Sequence, residues 1–167
     1  MDLAVRITNA LDPAMIARPL ALCRSVLCAS PAYIRRNGAP DNVEDLRHHR
    51  CIAHAFGIGK QYRFRRGRET VEVPVRWSFH TNETAILRRA MLSGAGIGML
   101  PTYFVADDLQ QGRLVQLLRQ EEPELLGIHA IYLSRQHQPL ALRLLVDFLV
   151  ARFGGAVPPW DLPLVAP

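Results

Sequence analysis

Apolar residues recur in two rhythms along this chain, and the switches between them mark out strands and helices. "DLAVRI" (2–7) and "RSVLCAS" (24–30) are short β-rich runs that predict buried strands. "TNALDP" after the first is turn material. Ser30 followed by Pro31 is a helix start, because serine caps free amides and proline suits the first helical position. That helix, "PAYIRRNG", is expected to stop at Asn37 and Gly38. "NVEDLRHH" reads as a second short helix and "CIAHAF" as a strand. In "YRFRRGR" aromatic residues alternate with arginine, "RRGRE" turns, and "TVEVPV" alternates again, which predicts a hairpin. "WSFHT" closes its second arm or follows it.

The stretch "TNETAILRRAMLSGAGIGMLP" (81–101) then puts Ile86, Leu87, Ala90 and Met91 on one helical face. Thr81 or Asn82 can cap it, and Glu83 suits its first turn. Ser93 and Gly94 end it, and "IGMLP" is a strand. "TYFVADDLQQG" is a helix capped by Thr102 and ended by Gly112, and "RLVQLL" and "GIHAIYL" are strands. "PLALRLLVDFLVARFGG" is an amphipathic helix with Leu140, Leu144, Phe148 and Val150–Ala151 flanking one face, closed by Gly154. The tail 156–167 is proline-rich and reads as irregular. Strands alternating with helices predict an α/β sheet protein.

Length narrows this picture. The 167 residues suit one ordinary domain or two small lobes, and 49% hydrophobic content supplies a sizeable core. No run of about 20 apolar residues predicts a membrane span. The start lacks the pattern of a secretory leader. Cys23, Cys28 and Cys51 are too few, and odd in number, for a disulfide scaffold. These features point to the cytoplasm. The net charge of +5 concentrates at Arg63, Arg65, Arg66 and Arg68. Their alternation with aromatics favours arginines facing water on a hairpin over a nucleic-acid footprint.

Candidate chemistry begins with Gly94, Gly96 and Gly98. A phosphate cradle needs strand, glycines, then helix, so that phosphate meets the helix N-terminus. Here the helix comes first, so the glycines lie at the negative end of its dipole. Gly94 is therefore expected to be a left-handed helix stop, and Gly96 and Gly98 to permit close approach of backbone. No cofactor is implied. The other end of that helix, Thr81, Asn82 and Glu83, offers free amides that favour an anion. The Ser30–Pro31 corner is a second example, with plain capping as the alternative for each. "HHRCIAH" lacks the spacing of a zinc site, and on a strand Cys51 and His54 face opposite ways, so no metal is expected. There is no G-x-S-x-G elbow and no H-E-x-x-H. The carboxylate pairs Asp107–Asp108 and Glu121–Glu122 read as solvated, so catalysis is not expected.

The order and spacing of "MDLAVRITNALDPAMIARPLALCRSVLCASPAYIRRNG", "NVEDLRHHRCIAH", "NETAILRRAMLSGAGIGMLPTYFVADDLQQGRLVQLL" and "HAIYLSRQHQPLALRLLVDFL" carry a resemblance. Over about residues 2–153 the chain resembles the effector-binding, substrate-binding-like region of LysR-type transcriptional regulators. The resemblance implies a type 2 periplasmic-binding-protein-like fold: two Rossmann-like α/β lobes joined by two crossing strands, with ligand in the cleft. Residues 1–21 plus 127–155 would form the first lobe, incomplete, 22–126 the second, and 156–167 the tail. It implies a small-molecule effector, a carboxylate being the natural guess. It implies self-association as a dimer or higher, through the helix 83–92 and the strand 2–7. DNA would be bound only through a winged helix-turn-helix absent from this chain.

Carried onto this sequence, the cleft positions are Arg6, Thr8, Phe56, Gly57, Thr81, Asn82 and Glu83. Arg6 stands out because an arginine in a buried strand needs a partner, and its planar fork suits a carboxylate. A structural ion pair is the alternative for Arg6. For the whole chain the rivals are a solute-binding protein of the same fold and a small-molecule enzyme.

Overall fold

A computed structural model describes residues 3–54, 61–133 and 139–161. It divides into two compact units, Met1–Cys23 with Leu125–Pro167, and Arg24–Glu124. No helix among the described residues is long and apolar enough to cross a membrane.

The discontinuous unit is a three-stranded antiparallel sheet backed by one helix. Strand β11 (Leu126–Tyr132) lies between β1 (Ala4–Ile7) and β2 (Ile16–Cys23). Helix α4 (Leu140–Phe153) packs its Leu142, Val146, Leu149 and Val150 against Leu20, Cys23, Ile128 and Ala130. The spacing 142, 146, 149, 150 is one helical stripe. Of the face expected from the sequence only Val150 packs; Leu140, Leu144, Phe148 and Ala151 are exposed. A helix apolar nearly all round leaves that choice to the sheet it meets. Strand β1 also departs from expectation. Val5, Arg6 and Ile7 are exposed, because β1 is an edge strand paired on one side only. Strand β2 was not foreseen, since Arg18 and Pro19 interrupt any alternation. Pro19 is tolerated on this outer strand, beside the register shift at Ile128 and His129. In the tail, residues 156–161 form bends and turns, and Trp160 packs on the core with its ring tilted against Phe153 at 5.8 Å.

The continuous unit carries a five-stranded sheet in the order β7-β4-β8-β3-β9. These strands are β3 (Ser25–Ala29), β4 (Cys51–His54), β7 (Trp77–Thr81), β8 (Ile97–Pro101) and β9 (Val115–Gln116). Strand β4 runs parallel to both its neighbours. Helix α1 (Pro31–Asn37) starts as its sequence predicts: the Ser30 hydroxyl accepts from the Tyr33 amide, and Gly38 at φ 76° ends it. Residues Val43–His48 form a 3-10 turn closed by a reciprocal Asn42–Asp45 capping box. Helices α2 (Thr84–Leu92) and α3 (Thr102–Gln110) cover one face, where Leu87, Met91 and Val105 are buried with Val26, Cys28 and Leu100. Thr102 does not cap α3; it is the first helical residue, and its hydroxyl donates to the Arg24 carbonyl.

The hairpin of β5 (Gln61–Arg66) and β6 (Glu69–Pro74) turns at Gly67, φ 64°, and gains β10 (Glu122–Pro123) as a third strand. Tyr62 and Phe64 point into the core beside Tyr33, Leu46 and Ile97. Arg63 and Arg65 point out, as alternation requires, and pair with Glu72 and Glu122. Glu121 was expected to be solvated; its side chain is 15% exposed and pairs with Arg66.

Gly94, Gly96 and Gly98 behave as structural residues. Gly94 is left-handed at φ 80°, and its carbonyl accepts from Arg36 at 2.8 Å. A Cβ on Gly96 would stand 2.5 Å from the Arg50 carbonyl, and one on Gly98 would strike the Met91 sulfur.

Candidate functional site

Arg6 and Thr8 belong to the discontinuous unit. Arg6 sits opposite His129 in the β1–β11 register, so the two share a sheet face. Arg6 is exposed and has no ion pair among the described residues. Arg6 is therefore not a buried charge in need of a partner, and no structural ion pair holds it among the described residues. His129 Nδ1 is buried without a hydrogen-bond partner. Its ring lies beneath Gly127, where a Cβ would stand about 2.2 Å from Nε2. Thr8 is a turn residue: its hydroxyl oxygen accepts from the Ala10 amide at 3.0 Å, and its own amide donates to the Gly127 carbonyl at 2.9 Å.

Thr81, Asn82 and Glu83 belong to the continuous unit, between β7 and α2. Neither Thr81 nor Asn82 caps the helix. Glu83 occupies the N-cap position in extended conformation, and no side chain caps α2. The Thr81 hydroxyl instead accepts from the Glu83 amide at 3.2 Å. The two strand-to-helix corners therefore differ: Ser30 fills its own corner, while the first amides of α2 are left to solvent or a ligand. Phe56 and Gly57 lie outside the described residues.

Sequence reasoning missed a second cluster in this unit. A cleft of about 830 Å³ is lined by Arg47, His48, His49, Arg50, Arg76 and Trp77, among others. Its signals were "RHHR" and "RW", read separately as a helix end and a strand start. The thiols make no reactive site. Burial pushes Cys28 and Cys51 up to about 12, and burial with the Asp161 charge pushes Cys23 to about 11.

The profile of the LysR substrate binding domain matches residues 1–154. The chain belongs to that family. The transcriptional regulator DmlR of Escherichia coli is 32% identical over 167 residues, a span of 97% of this chain and 53% of DmlR. The solved structure of CrgA, a LysR-type transcriptional regulator from Neisseria meningitidis, superposes with a TM-score of 0.78 at 30% identity, covering 90% of this chain and 51% of CrgA. The virulence activator AphB of Vibrio cholerae superposes with a TM-score of 0.77 at 26% identity, with 90% and 51% covered. This LysR-family chain thus has the periplasmic-binding-protein-like type 2 fold of regulatory domains, and its relatives are regulators rather than enzymes. It spans about half the length of the curated relatives it matches.

Proposed function

We propose that this LysR-family domain senses a small anionic metabolite, a carboxylate, in the cleft between the two lobes of its fold, and so controls transcription. The family match over residues 1–154 carries the reading. Two local features support the anion. Arg6 presents an unpaired guanidinium, and α2 begins with amides that no side chain caps. Arg6, Thr8, Phe56, Gly57, Thr81, Asn82 and Glu83 are the residues we assign to the effector. The protein works in the cytoplasm on this reading, self-associates, and leaves DNA contact to a winged helix-turn-helix outside these residues.

Thermal unfolding with a panel of small carboxylates tests the reading. A ligand at about 100 times its Kd stabilises the native state by about 2.7 kcal/mol. The expected outcome is a rise in Tm with at least one carboxylate, lost in Arg6→Ala. An equal rise in Arg6→Ala would remove Arg6 from the site. No rise with any carboxylate would sink the proposed chemistry.

A further inference from the structure

The cleft of Arg47, Arg50 and Arg76 lies at the other end of the β4–β7 pair from the Thr81–Glu83 corner. Strands β4 and β7 are parallel with Cys51 opposite Trp77, so Arg50 and Arg76 begin the two strands side by side. From there to Thr81 the five residues of β7 span about 16 Å. The backbone holds both arginines in place. The Arg50 carbonyl accepts from the Ile97 amide at 2.8 Å, and the Arg76 carbonyl accepts from the Cys51 amide at 3.2 Å. Gly96 is what lets the chain come this close to Arg50.

The floor is organised from beneath by Tyr33, whose side chain is buried. Its hydroxyl accepts from the Arg50 amide at 3.1 Å and lies 3.0 Å from His49 Nδ1. The same hydroxyl can donate its proton to His49 Nδ1 when the ring is neutral with its hydrogen on Nε2. Burial lowers the His49 pKa, against the opposing pull of Asp45, which favours the neutral ring this pattern needs. One wall is Trp77, whose ring meets that of Tyr62 edge-on at 4.9 Å and 85°. Tyr62 is itself fixed by a 2.8 Å bond to the Ile52 carbonyl.

Among the described residues no carboxylate lines this cleft and none of its three guanidiniums forms an ion pair; Arg47 Nε donates to His48 Nε2 at 2.9 Å, and Arg50 and Arg76 are the two left for a ligand. Like charges gathered without a counter-charge repel, and an anion among them relieves the repulsion. Guanidinium forks match a doubly charged acid group, and an indole face suits a flat ring. We propose that this cleft is a second ligand site, distinct from the effector site, for a small aromatic molecule carrying a dianionic group.

Titration calorimetry of the 167-residue chain with phenyl phosphate, at low salt, tests it. The expected result is saturable binding that weakens at least tenfold in Arg50→Gln and in Arg76→Gln. Arg76→Lys, which keeps the charge and loses the fork, should fall between. Arg6→Ala should bind like the unaltered chain, which separates this site from the effector site. Inorganic phosphate should bind more weakly than phenyl phosphate, because it has no ring to place on Trp77. Both arginines are exposed, so the variants are expected to melt with the parent, and the melting curve serves as the control. Absence of saturable binding, or unchanged affinity in Arg50→Gln and Arg76→Gln, would overturn the proposal.

Discussion

Asp108 shows how far a residue can depart from what its sequence neighbours suggest. "ADDLQQG" reads as the wet side of a helix, yet Asp108 is 1% exposed. Its carboxylate is held by Arg88 from α2 and by Arg113 just past α3. Nothing in the local pattern announces this, because the partners stand 20 residues before and 5 after. Burial alone would raise its pKa; hydrogen bonds from Arg88 and Arg113 outweigh that and bring it below the ordinary 3.8. A depressed carboxylate stabilises the fold at pH above its unfolded value, and the contribution disappears as pH falls through the lower folded value. Asp108→Asn should therefore cost about 2 kcal/mol near neutral pH, a reduced figure because both arginines are partly solvated. That cost should shrink below about pH 4, as denaturant titrations at several pH values would reveal. The three thiols give a second residue-scale expectation. With values of about 11 to 12, they should react far more slowly with iodoacetamide at pH 8 in the native chain than in urea.

Elements were legible where a residue type forces a backbone state, and illegible where tertiary context decides. Ser30–Pro31, Gly67, Gly94 and Gly112 each mark a boundary that the structure keeps, and three of those glycines have positive φ with backbone reasons of their own. Strand β2 escaped notice because an outer strand with Arg18 and Pro19 has no face pattern to read. "RLVQLL" looked like a full strand, but only Val115–Gln116 pair, since Leu114, Leu117 and Leu118 are apolar for packing rather than for a ladder. At the candidate positions the local state, not the residue type, escaped the sequence: Arg6 was expected buried and is exposed, and of the two readings open for the α2 corner, free amides or a Thr81 or Asn82 cap, the cap is absent. Glycines allow a direct contrast. Gly67→Ala meets open space but a left-handed backbone, and should cost about 1–2 kcal/mol. Gly96→Ala drives a methyl into the Arg50 carbonyl without any φ penalty, and should cost more, as backbone has to move. Thermal unfolding of the two variants would rank them, and a milder loss at Gly96 would contradict the steric account.

At the scale of the whole molecule the two units are unequally built. The continuous unit holds two buried clusters that fill both faces of its main sheet, whereas the other rests on Leu20, Cys23, Ile128, Ala130 and Val146. Its helix leaves Leu140, Leu144, Leu145 and Phe148 exposed, and its edge leaves Val5 and Ile7. Amides of β1, β11 and α4 should therefore exchange with deuterium well before those of β3 and β8. An apolar surface of that kind promotes association. Phe148→Glu with Leu144→Glu should lower the mass seen by sedimentation if this face mediates it.

The middle position of β11 has a consequence for how the chain is made. Strands β1 and β2 leave the ribosome before β11, the strand that joins them, which is encoded roughly 100 residues later, and at about 5–20 residues per second that is a wait of about 5–20 s. During the wait the intervening unit has its own strands and can close, while β1 and β2 still lack β11. Translation speed and chaperones thus act mainly on residues 4–23, and a slow stretch of codons before β11 would lengthen the exposure of the segment that bears Arg6.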